Sequence, residues 1–225
     1  MLFSSPIVPA IIPINEAQLR VFVERLQRVP ELHVDVVDGK FVSAISWPYE
    51  PSGVPQACYQ ALERFSLEVD LMVAEPLTAA TAWLLAGADR LVFHVESITV
   101  EALATFASTT GVTLGIAANN DTPLLALLPY LPYVDHIQVM GIATIGSQGQ
   151  PFDERALDRI QALAAYRNTH TIGLDGSVNA QTLPALAALH LDRYIMGSAI
   201  IQAEDPLLAY QTFSQVAGVP STGRA

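Results

Sequence analysis

Four ionisable side chains lie in apolar segments of this chain, where a charge is costly to bury. His33 and Asp35 alternate with apolar residues in LHVDVV, Asp70 interrupts LEVDLMV, and Asp175 ends THTIGLD. Buried carboxylates carry a large desolvation penalty unless a cation, a substrate or hydrogen-bonding neighbours compensate for it. Imidazole and carboxylates together are ligands for zinc, manganese or iron. The pattern indicates a metal or substrate site, and the alternative is a set of hydrogen-bonded core polar groups.

The segments that would position these residues alternate regularly along the chain. Short β-branched runs are typical of strands, and apolar residues at spacings of three and four are typical of helices. The strand segments are 7–13, 32–37, 67–73, 90–95, 112–117, 136–140, 169–175 and 193–197. The helical segments are 17–26, 55–65, 77–86, 100–108, 123–131, 154–166, 180–189 and 206–216. We expect an α/β fold, a (β/α)8 TIM barrel, as a single domain over residues 1–225 with a frayed tail at 218–225.

In such a barrel the functional side chains gather at the carboxyl ends of the strands. Alternation along the second strand turns His33 and Asp35 inward together. The second and seventh strands are three steps apart around the ring, so Asp35 and Asp175 can approach a bound molecule from different sides. That geometry suits proton transfer by two bases. Met72 and Met140 are candidates either for lining this site or for filling the core.

Composition excludes several classes of function. There are 11 Lys and Arg against 22 Asp and Glu, so the net charge of -11 excludes a broad nucleic-acid surface. Cys58 is the only cysteine, which excludes an internal disulfide and a paired-cysteine zinc site, and Lys40 is the only lysine. The chain has neither a long apolar run nor the features of a leader, so we expect a soluble cytoplasmic protein that does not bind membranes. An acidic, apolar-rich chain is also compatible with a homo-oligomer.

Seven short motifs follow one another along the chain: HVDVVDGKFV (33–42), VDLMVAEP, GADRLVFHVE, GIAANNDTP, GQPF, LDGSVN and MGSAI. In this order they resemble HVDVMDGHFV, VHLMV-x-x-P, GAD-x-h-x-x-H-x-E (h being apolar), G-x-A-L-N-P-x-TP, GQ-x-F, VDGGIN and AGSAI of the ribulose-phosphate 3-epimerase family. The members of that family are (β/α)8 barrels. The resemblance spans nearly the whole chain.

The resemblance implies a metal-dependent isomerase that inverts C3 of a ketopentose 5-phosphate, interconverting ribulose 5-phosphate and xylulose 5-phosphate. It implies that Asp35 and Asp175 are the acid and base that remove and return the proton through an enediolate. It also implies that a divalent cation (Mn, Mg, Fe or Zn) is held by His33, Asp35, the residue at position 70 and Asp175. The phosphate would be held by backbone amides, which a lysine-poor chain can supply. The residues at those positions are Gly176, Ser177, Gly197 and Ser198.

This chain departs from the family pattern at the site itself. Asp70 replaces the family's histidine, so a cation would face three carboxylates and one imidazole, a donor set that favours manganese or magnesium over zinc. Ala10 stands where the family has a serine, Val37 replaces a methionine, and Ser177 replaces the second glycine of VDGG. The loop MGIATIGSQGQ has one residue more than its family counterpart.

These departures leave alternatives to the epimerase function open. The barrel could act on a different sugar or sugar phosphate, since Ala10 and the altered loop would face the substrate. It could also be a catalytically silent homologue that binds a sugar phosphate, or a partner protein, without turnover. A class I aldolase or an orotidine-type decarboxylase is disfavoured because both need a lysine inside the barrel, whereas Lys40 follows the second strand.

Overall fold

A computed structural model of the chain describes residues 5–146 and 149–218. Within these ranges eight parallel strands form a closed barrel in chain order, and the last strand pairs with the first. The strands are β1 (Ile7–Ile11), β2 (Glu31–Val37), β3 (Ser66–Met72), β4 (Arg90–His94), β5 (Thr113–Ala118), β6 (His136–Met140), β7 (Thr171–Asp175) and β8 (Arg193–Met196). The expected (β/α)8 fold is confirmed.

Helical segments connect successive strands on the outside of the barrel. No helix in the described part of the chain is long and apolar enough to cross a membrane. The α-helices are α1 (Glu16–Arg25), α2 (Tyr59–Leu62), α3 (Pro76–Leu85), α4 (Val100–Thr109), α5 (Arg155–Ala162), α6 (Leu183–Ala187), α7 (Ser198–Ile201) and α8 (Pro206–Gly218). Three 3-10 helices span Pro55–Cys58, Leu124–Tyr133 and Leu163–Tyr166.

One sequence-based expectation needs correction. The segment 123–131, expected to be an α-helix, lies almost entirely in the 3-10 helix Leu124–Tyr133, which contains Pro129 and Pro132. A proline lacks the amide hydrogen that an α-helix requires, so an α-helix cannot run through this segment. Of the expected tail 218–225, the structure describes only Gly218, which is the last residue of α8. The remainder of that tail lies outside the described residues, and the single-domain assignment stays a prediction.

The two faces of each strand separate the core from the site. On β2, Leu32, Val34 and Val36 belong to the large buried core between barrel and helices. The alternate residues, His33 and Asp35, face the barrel interior, as the two-residue period of a strand requires. The adjacent strand β3 repeats this pattern in register, so polar side chains of neighbouring strands meet inside the barrel.

Candidate active site

The four candidate metal ligands converge inside the mouth of the barrel. His33 and Asp35 lie on β2, Asp70 on β3 and Asp175 at the end of β7. One potential ligand atom from each residue lies within 4.8 Å of the others. His33 and Asp70 are fully buried, Asp35 is buried, and Asp175 is partly exposed. The fold thus brings together the four residues that the sequence singled out, although their roles stay predictions.

Glu68 fixes the orientation of the His33 ring. Nδ1 of His33 donates to Oε1 of Glu68 at 2.7 Å, and Nε2 lies 3.2 Å from Oδ1 of Asp35. Glu68 also pairs with Arg90 at 3.0 Å and Arg193 at 3.3 Å. Burial alone would raise the pKa of Glu68, but the hydrogen bond from His33 and the charge of Arg193 lower it well below its ordinary value. An ionised Glu68 keeps the proton on Nδ1, so Nε2 faces the acids.

The electrostatics of the cluster favour proton binding by Asp35 and Asp175. Burial raises the pKa of Asp175 well above its ordinary value, and the charge of Asp35 raises it further. Burial also raises the pKa of Asp35, although the nearby His33 opposes that shift. Burial by itself would lower the pKa of His33, but Asp35 and Glu68 outweigh it and raise that pKa well above its ordinary value. Carboxyl groups with raised pKa values are suited to acid–base chemistry near neutral pH.

Asp70 is held at both of its carboxylate oxygens. Nε2 of His94 donates to Oδ1 at 3.0 Å, and Nε2 of Gln138 donates to Oδ2 at 2.8 Å. His94 shares a strand face with Glu96, since the two residues are two positions apart. Gln138 was missed. The sequence did contain a signal for Gln138: it is a polar residue between Ile137 and Val139 in a strand, and the alternation of the strand turns this position inward.

Glu96 does not join the acids despite sharing a strand face with His94. Its Oε2 lies 3.9 Å from Nδ1 of His94. Its Oε1 accepts hydrogen bonds from the Asn119 amide at 2.8 Å and from the Thr122 hydroxyl. Glu96 therefore ties together the loops that follow β4 and β5.

A cavity of about 180 Å³ adjoins the cluster, and Asp35 and Asp175 form part of its wall. Both Met72 and Met140, the candidate lining residues, border it. The four candidate phosphate-binding residues also line it, namely Gly176, Ser177, Gly197 and Ser198. Backbone amides in such a segment can bind an anion without a lysine. The acids and the candidate phosphate segment thus border one cavity.

The backbone after β7 requires an unusual conformation. Gly176 has φ +100, and a Cβ there would lie 2.9 Å from Cγ1 of Ile142. Ser177 also occupies the left-handed region, with φ 56, a conformation that is energetically less favourable for serine than for the glycine of the family motif. Its hydroxyl donates to the carbonyl oxygen of Gln150. Ser177 therefore connects the segment after β7 to the loop after β6.

Apolar side chains form another part of the cavity wall. Ala10, Ile12, Ile142 and Ile195 border the space beside the acids. The loop after β6 also borders it at residues 146, 149 and 150, whereas residues 147 and 148 lie outside the described residues. A ligand would meet few hydrogen-bonding side chains along the aliphatic wall, so the acids and the segments after β7 and β8 would set the positions of its polar groups.

The donor set fits a divalent cation. Three carboxylates and one imidazole present ligand atoms within 4.8 Å of one another. Burial raises the pKa of both Asp35 and Asp175, which means that their negative charges are poorly compensated by the surrounding protein. A divalent cation would supply that compensation, and oxygen-rich sites with one imidazole suit magnesium, manganese or iron as well as zinc.

The three other histidines, the single cysteine and the single lysine are not members of this cluster. His190 is exposed and His170 is partly buried. His136 is fully buried on β6, where Nδ1 lies 2.9 Å from the Thr171 hydroxyl. Cys58 is buried in the outer core. Lys40, the single lysine of the sequence, is exposed in the loop after β2.

Comparison with known proteins gives a consistent family assignment. The model of the ribulose-phosphate 3 epimerase family matches residues 6–201. A ribulose-phosphate 3-epimerase from Treponema pallidum is 32% identical over 174 residues, which cover 75% of this chain and 77% of that protein. The ribulose-phosphate 3-epimerase from Mycobacterium tuberculosis is 29% identical over 221 residues, covering 96% and 94% of the two chains.

A solved structure agrees with the architecture. The crystal structure of 3-hexulose-6-phosphate synthase from Salmonella typhimurium superposes with a TM-score of 0.65 at 17% identity, covering 94% of this chain and 97% of that one. At this low identity the likeness concerns the fold alone.

Proposed function

The chain belongs to the ribulose-phosphate 3-epimerase family, a family of isomerases, and we propose that it inverts C3 of a ketopentose 5-phosphate. The reaction would interconvert ribulose 5-phosphate and xylulose 5-phosphate. The observation that carries the proposal is the convergence of Asp35 and Asp175, from β2 and β7, on one cavity. Inversion at carbon requires two acid–base groups that act on opposite faces of the substrate, and two strands three steps apart around the ring supply them.

Asp35 and Asp175 exchange the proton in this proposal. One carboxylate removes the C3 proton to give an enediolate, and the other carboxylic acid returns a proton to the opposite face. Burial raises the pKa of both groups, so each carboxyl group binds a proton more readily than an exposed aspartate does. A carboxylate with a raised pKa is a stronger base, so the free-energy cost of taking a proton from a weakly acidic carbon is smaller.

His33, Asp35, Asp70 and Asp175 would hold a divalent cation. When bound, such an ion stabilises the negative charge that develops on the enediolate oxygens. Within the protein, Glu68 keeps Nε2 of His33 directed toward the acids. Manganese, magnesium, iron and zinc are all candidates.

The phosphate group would bind in the same cavity, at the segments that follow β7 and β8. Gly176 and Ser177 after β7, with Gly197 and Ser198 after β8, would present backbone amides to it. Anchoring the phosphate there would direct the sugar carbons toward the acids. The ligand is thus a small-molecule sugar phosphate. The cytoplasmic location and the homo-oligomer stay predictions.

An epimerase for a different sugar or sugar phosphate is the second candidate. Ala10 lies on the cavity wall where the family has a serine, and Ile12, Ile142 and Ile195 extend the apolar surface. A substrate with fewer hydroxyl groups on that side would fit this wall better, because unpaired polar groups are costly to bury. Exchange and turnover assays over a panel of ketose phosphates and free ketoses would separate the two candidates.

The central test is hydrogen exchange in heavy water. Ribulose 5-phosphate incubated with the metal-loaded protein should incorporate deuterium at C3, measured by NMR or mass spectrometry. Asp35→Asn and Asp175→Asn should each slow this exchange by about 100-fold or more. The matched control is Asp121→Asn, an exposed carboxylate whose side chain is 82% accessible, and it should leave the rate unchanged.

Exchange that persists at the full rate in both Asn variants would refute the assignment of the two acids. Absence of exchange in the wild-type protein with every metal and substrate tried would instead favour a catalytically silent homologue.

A further inference from the structure

Asp70 belongs to a hydrogen-bonded unit built from three strands. The unit contains Asp70 of β3, His94 of β4 and Gln138 of β6, all buried inside the barrel. His94 donates to Oδ1 at 3.0 Å and Gln138 donates to Oδ2 at 2.8 Å. Each carboxylate oxygen can accept two hydrogen bonds or ligand contacts, so each retains one free acceptor position.

Gln138 also reaches a second candidate ligand. Its Nε2 lies 3.5 Å from Oδ2 of Asp175, so one amide nitrogen faces two carboxylates that come from opposite parts of the ring. No hydrogen-bond partner for its Oε1 is found among the described residues. Because both carboxylate oxygens are acceptors, the side-chain amide of Gln138 is oriented with its NH2 group, not its carbonyl, toward the acids. A neutral donor placed there lowers the repulsion between the two carboxylates without neutralising either of them.

We propose that Gln138 and His94 are positioning residues that hold Asp70 as an oxygen ligand and bias the site toward manganese or magnesium relative to zinc. The inference rests on the proposed function only in requiring that the cluster binds a divalent cation. A free aspartate between other acids would turn away from them, whereas an aspartate bonded at both oxygens cannot. Hard cations take several oxygen ligands, whereas zinc favours nitrogen and sulfur in a four-coordinate shell.

The histidine that the family carries at position 70 would present a nitrogen ligand instead. A neutral imidazole does not repel Asp175, and with one nitrogen facing the cation its other nitrogen carries a hydrogen and cannot accept from Gln138. The effect of Gln138 on the cation should therefore depend on aspartate at position 70. A residue that merely fills space would affect the site equally with either ligand.

The test is a double-mutant cycle on metal affinity. The four proteins are the wild type, Gln138→Met, Asp70→His and the double variant, and dissociation constants for Mn²⁺ and Zn²⁺ are measured by calorimetry on metal-stripped full-length protein. Methionine has nearly the shape of glutamine and lacks its donors, and thermal unfolding without metal shows that each variant is folded. Gln161→Met, on the exposed side of α5, is the matched control and should change nothing.

Gln138→Met should weaken Mn²⁺ binding by about 10-fold to 100-fold in the Asp70 protein and by less than about 3-fold in the Asp70→His protein. Zinc binds most sites more tightly than manganese, so the ratio of the two dissociation constants is the informative quantity. Asp70→His should shift that ratio toward zinc by about 10-fold or more. His94→Leu should reproduce the loss of Mn²⁺ affinity seen with Gln138→Met.

Equal losses in both backgrounds would overturn the proposal, and so would an unchanged Mn²⁺ affinity in Gln138→Met. Failure of the wild-type protein to bind Mn²⁺ would overturn it as well. None of these results depends on turnover. If the metal affinities follow the expected pattern but no deuterium exchange occurs, the epimerase function is rejected. The role proposed for Gln138 then still stands.

Discussion

Oε1 of Glu68 lies 2.7 Å from Nδ1 of His33, on the side of the imidazole ring away from Asp35. This contact joins the candidate metal site to a buried charge network deeper in the barrel, because Glu68 also pairs with Arg90 and Arg193. A ligand histidine whose second nitrogen is bonded to a carboxylate has a fixed tautomer and a more basic free nitrogen.

Replacement of Glu68 by glutamine should therefore weaken divalent-metal binding by about 10-fold to 100-fold. It should also lower the free energy of unfolding by about 3 kcal/mol, because it removes the carboxylate that pairs with Arg90 and leaves the buried Arg193 with Glu31 alone. Calorimetric metal titration and urea denaturation measure the two effects. Glu63→Gln, at an exposed position between α2 and β3, is the control. Unchanged metal affinity in the Glu68 variant would show that Glu68 does not orient His33.

His136 should make the protein sensitive to acid. Burial lowers the pKa of His136 to about 3, with Arg90 and Arg193 assisting and Glu68 opposing. Between pH 6.5 and about 3 the unfolded chain binds a proton here that the folded chain does not, so this residue reduces stability as the pH falls. From pH 6.5 to 4.5 the loss is roughly 2.3 kcal/mol at about 1.4 kcal/mol per unit, because the unfolded histidine is already half protonated at pH 6.5.

His136→Gln should remove this dependence, so its free energy of unfolding should fall by less than that of the wild type over the same pH interval. Urea denaturation at pH 6.5 and 4.5 measures the difference. His190→Gln, at an exposed position, should follow the wild-type profile. Parallel profiles for the wild type and the His136 variant would mean that His136 is protonated in the folded state.

Ala10→Ser tests the apolar wall of the cavity. Ala10 is buried on β1, pairs in register with His33 of β2 and borders the cavity. A hydroxyl there can donate to a substrate oxygen, and a hydrogen bond of about 1 kcal/mol would raise kcat/KM for ribulose 5-phosphate roughly fivefold. Steady-state kinetics with Ala10→Val as the hydroxyl-free control would check this. A fall in kcat/KM with serine would favour a substrate that needs the apolar surface.

Gly176→Ala tests the candidate phosphate segment. The left-handed φ of +100 disfavours a side chain, and the added Cβ would lie 2.9 Å from Ile142. The backbone after β7 must then shift, so we expect KM for the sugar phosphate to rise by about 10-fold or more, since small displacements of positioning groups are costly. Gly111→Ala is the control, because no atom lies within 4 Å of the added Cβ. Unchanged KM would place phosphate binding elsewhere.

The periodicity of the chain was enough to predict the barrel. Alternation on β2 placed His33 and Asp35 on the inner face, and the observed strand does so. Such patterns are local, since a strand repeats every two residues whatever it packs against. The 3-10 helix Leu124–Tyr133 was misjudged as an α-helix because its apolar spacing outweighed two prolines that were visible in the sequence.

The sequence by itself determined which side chains turn into the barrel and that acids on β2 and β7 approach from different sides. Only the tertiary structure decided which polar groups bond to each other: Glu68 to His33, and His94 with Gln138 to Asp70. Gln138 is separated from Asp70 by 68 positions in the chain. Partners so distant meet only when the ring of strands closes, and inside it each buried polar atom must bond to whichever donor or acceptor the closure brings within reach.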